Sequence, residues 1–389
     1  MVSSRFPEKL VFVLLALFSV SFVLSLFLMQ LFGGLIFIMW LFEKWSEKKK
    51  VPDIITAGIF LFGFVRIISI IFSEYPQISY EAFYKEALFY LMALSLPFYL
   101  KTMDKRKLLD LALIFILGAV VMSLTGIFRF TIGDVERAQG FTSSYSAFSS
   151  YVTVALGVAL FFPMKKYNPK FSAYQAIVIF ILASGIITSL GRLNIALAAL
   201  MIVTALLLKR FNVKQFAILI ILFSGLGIVY LLNPTKGITD RVENITQYSD
   251  RDIILKGAGE ILFEHPVLGF GPRTFREIFP LFDEVADKGI GGWHNDFIQI
   301  YFESGLIGLI TFLVLLLIVF MVAIRQIRNK KTDAELRDLS ASVLISITAL
   351  TLSIAAGGFI TSVVVSIVFI LLISILSRID VEPSQEAIS

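Results

Sequence analysis

The sequence predicts an all-α polytopic membrane protein, with about twelve transmembrane helices and one large helical loop between spans nine and ten. Three observations carry this expectation. Hydrophobic residues make up 57% of the 389 positions, against roughly 45–50% in soluble domains. They come in continuous blocks long enough to cross a bilayer, not in the alternation that a membrane β-barrel needs. Cations gather in short clusters in every second connection between the blocks, which is a topology signal.

The chain opens "MVSSRFPEKLVFVLLALF". Arg5 and Lys9 precede an apolar run, as in a signal peptide, but no small-residue cleavage pattern follows, so the segment reads as a retained first helix. Residues 10–42 would extend ~50 Å as one helix, too far for a single crossing. They predict a hairpin of two short helices turning near 25–31. Further spans are expected at 54–72, 81–100, 108–130, 145–162, 173–189, 193–208 and 215–232, then at 297–324, 339–356 and 359–377. The alternate connections hold Lys44/Lys48/Lys49/Lys50, Lys101/Lys105/Arg106/Lys107, Lys165/Lys166/Lys170, Lys209/Arg210/Lys214 and Arg325/Arg328/Lys330/Lys331. The positive-inside rule makes those connections, and both termini, cytoplasmic. Three regions follow: transmembrane helices over 1–232, an outer loop over 233–295 and further transmembrane helices over 296–389. The net charge of +5 belongs to this topology and gives no reason to expect a nucleic-acid partner. With no cysteine, disulfides and thiolate metal sites are excluded.

Two amphipathic stretches are legible in the outer loop. "RDIILKGAGEILFEH" sets Ile253, Ile254, Ala258, Ile261 and Leu262 at helical spacing. "RTFREIFPLFDEVADK" does the same with Phe275, Ile278, Phe279, Phe282 and Val285, and Pro280 predicts a kink in it. Both suit helices that lie on the membrane surface or cap a cavity. The stretch "HPVLGFGPRTF" between them is a turn-rich break. Its Gly269-Phe270-Gly271 is expected to pack the loop helices together, since a lone Gly-x-Gly is a weak phosphate signal.

Ionisable groups within spans are costly and mark function. Arg66, Lys85, Arg129, Arg137, Arg192 and Arg251 all fall toward the outer face, the side that positive-inside disfavours. Lys85 has Glu81 and Glu86 as ready partners, and Arg129 and Arg137 also suit snorkelling or solvated loop positions. Together, guanidinium forks at the outer leaflet are what a phosphate or pyrophosphate head group needs. His294 precedes Asn295 and Asp296, which can cap a helix beginning near Phe297. The positive end of that helix disfavours imidazolium, so His294 is expected to be neutral near pH 7, as a proton acceptor should be. The other histidine, His265, precedes a proline in a turn and reads as structural.

These motifs resemble the large-loop signature of the O-antigen ligase and polymerase superfamily. The matching positions are Arg251, His265-Pro266, Gly269, Gly271, Phe275, His294-Asn295, Glu303, Gly305 and Gly308. Arg192 is similar to the family's additional arginine. The resemblance implies a metal-independent glycosyltransferase of the bacterial inner membrane that needs no cofactor. Its donor would be a glycan on undecaprenyl pyrophosphate, and its acceptor a glycolipid such as lipid A–core at the periplasmic face. Arg192 and Arg251, with Arg66, Lys85 and Arg137, would hold the pyrophosphate, and His294 would be the general base. Glu303 lies nine residues past His294, roughly on the opposite helix face, and is expected to support the helix. A polymerase or a protein O-oligosaccharyltransferase of the same superfamily is the nearest alternative reading. A transporter or flippase for a lipid-linked anion is another, but the repeated halves usual in transporters are not evident. A purely structural membrane protein would leave the outer-face cations unexplained.

Overall fold

The computed structural model describes all residues except Met1, Pro52, 142–143, 164–173, 233–250, Gly289, 357–361 and 380–389. The cluster Lys165, Lys166 and Lys170 and the first part of the large loop lie outside the described residues. The regular structure of the described residues is entirely helical. The longer helices are α1 (Glu8–Leu24), α2 (Leu26–Leu41), α3 (Ile54–Ile71), α4 (Pro76–Thr102), α5 (Lys105–Thr131), α6 (Tyr145–Phe161) and α7 (Gln175–Thr188). They continue with α8 (Arg192–Leu207), α9 (Val213–Leu232), α10 (Arg251–Glu260), α11 (Asp296–Arg328), α12 (Ala334–Ser353) and α13 (Val363–Ile379). By length and composition α3, α5, α11 and α12 can each cross a membrane, and several shorter helices are also apolar. The protein is thus an all-helical integral membrane protein.

Local sequence sets the boundaries. Ser25 adopts extended backbone between α1 and α2, and its side chain caps α2 by accepting from the Phe27 amide. The predicted hairpin therefore breaks at a single residue. Asp53, Asp104 and Asp333 cap α3, α5 and α12 in the same way. Pro76 takes the first turn of α4, where a missing N–H costs nothing. This helix opens before the apolar run that sequence alone reads as its start, because its first turns are polar.

At the centre lie α6 and α13. Every residue of α6 from Phe148 to Phe161 is buried, as is nearly all of α13, which is expected of helices apolar on all faces. α6 packs on α12, and α3 packs on α11. The Ser346 hydroxyl on α12 donates to the Val154 carbonyl of α6 at 2.9 Å. On α11 the side chains of Leu306, Ile310, Leu313, Leu317, Met321 and Ile324 are exposed. They form one apolar stripe at helical spacing, facing the surrounding lipid.

α11 is not continuous. Gly305 has φ +64° and ψ −169°, so the helix breaks there and resumes. The break frees backbone groups that the segment around Pro266–Phe270 then uses. Phe270 donates to the Phe302 carbonyl at 2.7 Å, and Leu306 donates to the Pro266 carbonyl at 2.7 Å. A Cβ on Gly305 would stand 2.1 Å from the Val267 carbonyl oxygen, and one on Gly269 would stand 2.5 Å from that of Phe302. Both positions have positive φ, so glycine is required twice over. Gly269 and Gly271 therefore seat the loop against α11 and the α3–α4 turn.

Candidate active site

The segment from Arg251 to Trp293 folds over a small apolar core of its own. Ile254, Ala258 and Ile261 bury one face of α10 against Phe275, Ile278, Phe279, Val285 and Trp293. Two expectations need correction. Leu262 is exposed, because α10 ends at Glu260 and the following turns point Leu262 outward. The second amphipathic stretch is not a kinked helix. Pro280 ends it after the single turn Phe275–Ile278, and short 3-10 turns at Phe282–Glu284 and Ala286–Lys288 follow. The apolar residues still reach the core, since turns can deliver them as a helix would.

Trp293 fixes the backbone at the candidate base. Its ring stacks on Phe302 at 4.1 Å and meets Phe275 edge-on at 4.9 Å. Asn295 is the N-cap of α11, accepting from the amides of Phe297 and Ile298 at 3.0 and 3.3 Å. Between these anchors His294 has φ +49°, a left-handed conformation that side chains other than glycine seldom adopt. The core on one side and the cap on the other hold it there. His294 sits at the rim, partly open to solvent. Burial by the surrounding protein, and secondly the positive charge of Arg251, hold its pKa below the usual histidine value. Neutrality is as expected, but the causes come from the fold. Arg251, first residue of α10, is close enough to His294 to act on it through its field.

A second pair forms at the α7–α8 turn. Arg192 is the first residue of α8 and is exposed. The Arg137 Nε donates to the Ser189 carbonyl of that turn at 2.9 Å, and its guanidinium lies 3.3 Å from the centre of the Tyr145 ring. Beneath them, Asn194 Nδ2 donates to Ser149 Oγ at 2.7 Å and Ser353 Oγ donates to Asn194 Oδ1 at 3.0 Å. This buried hydroxyl–amide network ties α6, α8 and α12 together and fixes the start of α8.

Arg66 and Lys85 have other commitments. Arg66 is buried and gives two hydrogen bonds to Glu86, Nε to Oε2 at 2.9 Å and Nη2 to Oε1 at 2.6 Å. Nη2 also reaches Glu303 Oε2 at 3.0 Å. With two carboxylates on it, the guanidinium fork is already engaged within the protein. Lys85 pairs with Glu81 at 2.5 Å and borders a shallow cleft with Glu86, Tyr90 and Ser366; no contact joins it to His294. Glu303 supports the helix as expected, and does more. Its Oε1 accepts from Gln299 Nε2 at 2.9 Å and from the Arg273 amide at 3.0 Å, which binds the loop to α11 and α3.

Sequence reasoning missed the partners. Glu86 was in view only as a neighbour of Lys85, and Arg273 and Trp293 were not singled out. Arg273 also has positive φ, and its Nε is buried without a hydrogen-bond partner among the described residues. Nothing in the local pattern marks these residues, because their contacts come from chain segments far away in sequence. His265 is structural, its ring 4.4 Å from that of Phe270 and its Nε2 3.3 Å from Glu74 Oε1.

No curated protein matches the chain. A family model described as O-Antigen ligase matches residues 176–313. That segment begins in α7 and ends within α11, and it contains Arg192, Arg251, His294 and Glu303 but not Arg66, Lys85 or Arg137. Over residues 176–313, about a third of its length, the chain is similar to the O-antigen ligase family.

Proposed function

We propose that this protein is a glycosyltransferase of the bacterial inner membrane, with twelve spans, both termini cytoplasmic and the loop 233–295 in the periplasm. It moves a glycan from undecaprenyl pyrophosphate to an acceptor hydroxyl, with lipid A–core as acceptor, which makes it a ligase. The observation that carries this reading is the adjacency of His294 and Arg251, a neutral imidazole beside a cation at the mouth of a membrane-seated loop.

In this mechanism the acceptor oxygen attacks the anomeric carbon of the donor glycan, and its proton passes to His294. The bond from that carbon to the pyrophosphate oxygen breaks, leaving undecaprenyl pyrophosphate with one more negative charge. Arg251, with Arg192 and Arg137 at the α7–α8 turn, stabilises the charge as it develops. Direct displacement inverts the anomeric configuration. Arginine forks do the neutralising, so no divalent cation enters the scheme. Purified protein supplied with lipid-linked donor and lipid A–core is expected to form product in the presence of EDTA. In the host, loss of the gene is expected to remove all long chains from core. A ladder cut back to a single repeat would assign a polymerase instead, and transfer to a protein hydroxyl an oligosaccharyltransferase.

The pH dependence follows from the same pair. With its pKa lowered, His294 stays neutral below the ordinary histidine value, so the acid limb of kcat is expected there. Arg251→Gln removes a positive charge, which raises the histidine pKa and moves the limb to higher pH. Burial, the larger cause, keeps it short of the ordinary value. The limb's position, read independently of the rate's height, tests this. In a His265→Asn background His294 is the only histidine left, and its ring titration by NMR should move the same way.

A further inference from the structure

α10 and the turns after it leave large apolar side chains uncovered on the outside of the loop. Phe263 is 82% exposed, Leu255 58% and Val267 57%, with Leu262 beside them at 37%. Leu255 lies on α10, and Leu262, Phe263 and Val267 follow in the turns after the helix ends at Glu260. All four lie outside the buried group of Ile254, Ala258 and Ile261. Isolated exposed apolar residues are ordinary, but a contiguous group marks an interaction surface.

The surface continues into the exposed apolar stripe of α11, a helix long and apolar enough to cross a membrane. Through the break at Gly305, Leu306 donates to the Pro266 carbonyl at 2.7 Å and Ile307 donates to that of Val267 at 3.4 Å. Leu306 and Ile307 head the exposed stripe of α11, which is lipid-facing in a 33-residue apolar helix. Val267 therefore extends that stripe outward, and Phe263, Leu262 and Leu255 extend it along the loop. The Tyr301 hydroxyl donates to the Leu262 carbonyl at 2.6 Å, tying an aromatic ring of α11 to the group. Lys256, Glu260 and Glu264 flank the group and are exposed, as on the polar edge of an interfacial helix.

We infer that Leu255, Leu262, Phe263 and Val267 form a lip that inserts into the outer leaflet, its partner being the acyl chains of the bilayer. The lip anchors the far end of α10. The near end carries Arg251, about 15 Å away along ten residues. Arg251 is thereby held at head-group depth, where the phosphates of any lipid-borne substrate lie. The inference rests on the membrane-facing surface of α11 alone, not on the proposed reaction.

The absence of native cysteine gives a clean test. Phe263→Cys and Val267→Cys, each spin-labelled, are placed in liposomes of phosphatidylethanolamine and phosphatidylglycerol. Leu317→Cys serves as the lipid control and Glu284→Cys as the aqueous control, both positions being exposed. The ratio of collisions with oxygen to collisions with a water-soluble nickel chelate is then measured by EPR. For both lip positions the ratio is expected to exceed Glu284 several-fold and to lie at or below that of Leu317, which sits deeper in its span. A ratio equal to that of Glu284 places the loop in water and overturns the inference. A label immobilised and shielded from both reagents means that a protein, a second copy included, covers the surface, and overturns it equally. All four side chains are exposed, so their replacement leaves the packed core untouched.

Discussion

Replacing His294 with alanine is expected to lower glycan transfer by about 10²- to 10⁴-fold, the range for removal of a general base. The protein should still fold, because the neighbours do the packing: Trp293 fills the loop core and Asn295 caps α11. One complication is the backbone. At φ +49° a histidine is tolerated better than an alanine, so an alanine could shift the turn as well as remove the imidazole. His294→Asn separates the two effects. Asparagine accepts the left-handed conformation but cannot take up a proton near neutral pH. If both variants lose activity and both melt like the parent, the imidazole itself is required. Full activity in His294→Asn would remove His294 from the chemistry and return it to the turn.

Arg66→Met is expected to be the most damaging single change to stability. It strands the buried Glu303 and the part-buried Glu86 as neighbouring carboxylates without their shared cation, a loss of about 3 kcal/mol, the low end for broken buried ion pairs. Thermal unfolding in detergent should show the drop. Adding Glu86→Gln and Glu303→Gln should recover much of it by removing the orphaned charges. The contrast with Lys85 is sharp. Its pair with Glu81 is solvent-exposed, with 41% and 47% of the two side chains open, and such pairs contribute ~0–1 kcal/mol. If Arg66 instead held substrate phosphate, Arg66→Met would abolish transfer at an unchanged melting temperature.

The same contrast explains what could be read from sequence. Most helices, and the cap at Asn295, were legible because their signals are local: an apolar run, or a polar residue just before one. The break at Ser25 also fell within the predicted turn. His294, Arg251 and Arg192 were legible as types at motif spacing, and the first two stand together. Arg66 shows the limit. A cation in an apolar span signals that something anionic is near, but it cannot tell a ligand from Glu303, 237 residues away. Leu262 shows another. Helical spacing assumes that the helix continues, and α10 stops two residues earlier.

The Arg66–Glu86 pair bears on biogenesis as well. A lone arginine in an apolar span resists insertion, by up to roughly 2.5–3.5 kcal/mol at the helix centre on translocon scales. Its counter-ion is only 20 residues on, in the other arm of the same helical hairpin, so the two emerge from the ribosome almost together and can partition as a neutral unit. Glu303 is synthesised much later and meets a guanidinium already in place. The charge that makes the mature assembly rigid is thus chaperoned into the lipid by its own first neighbour.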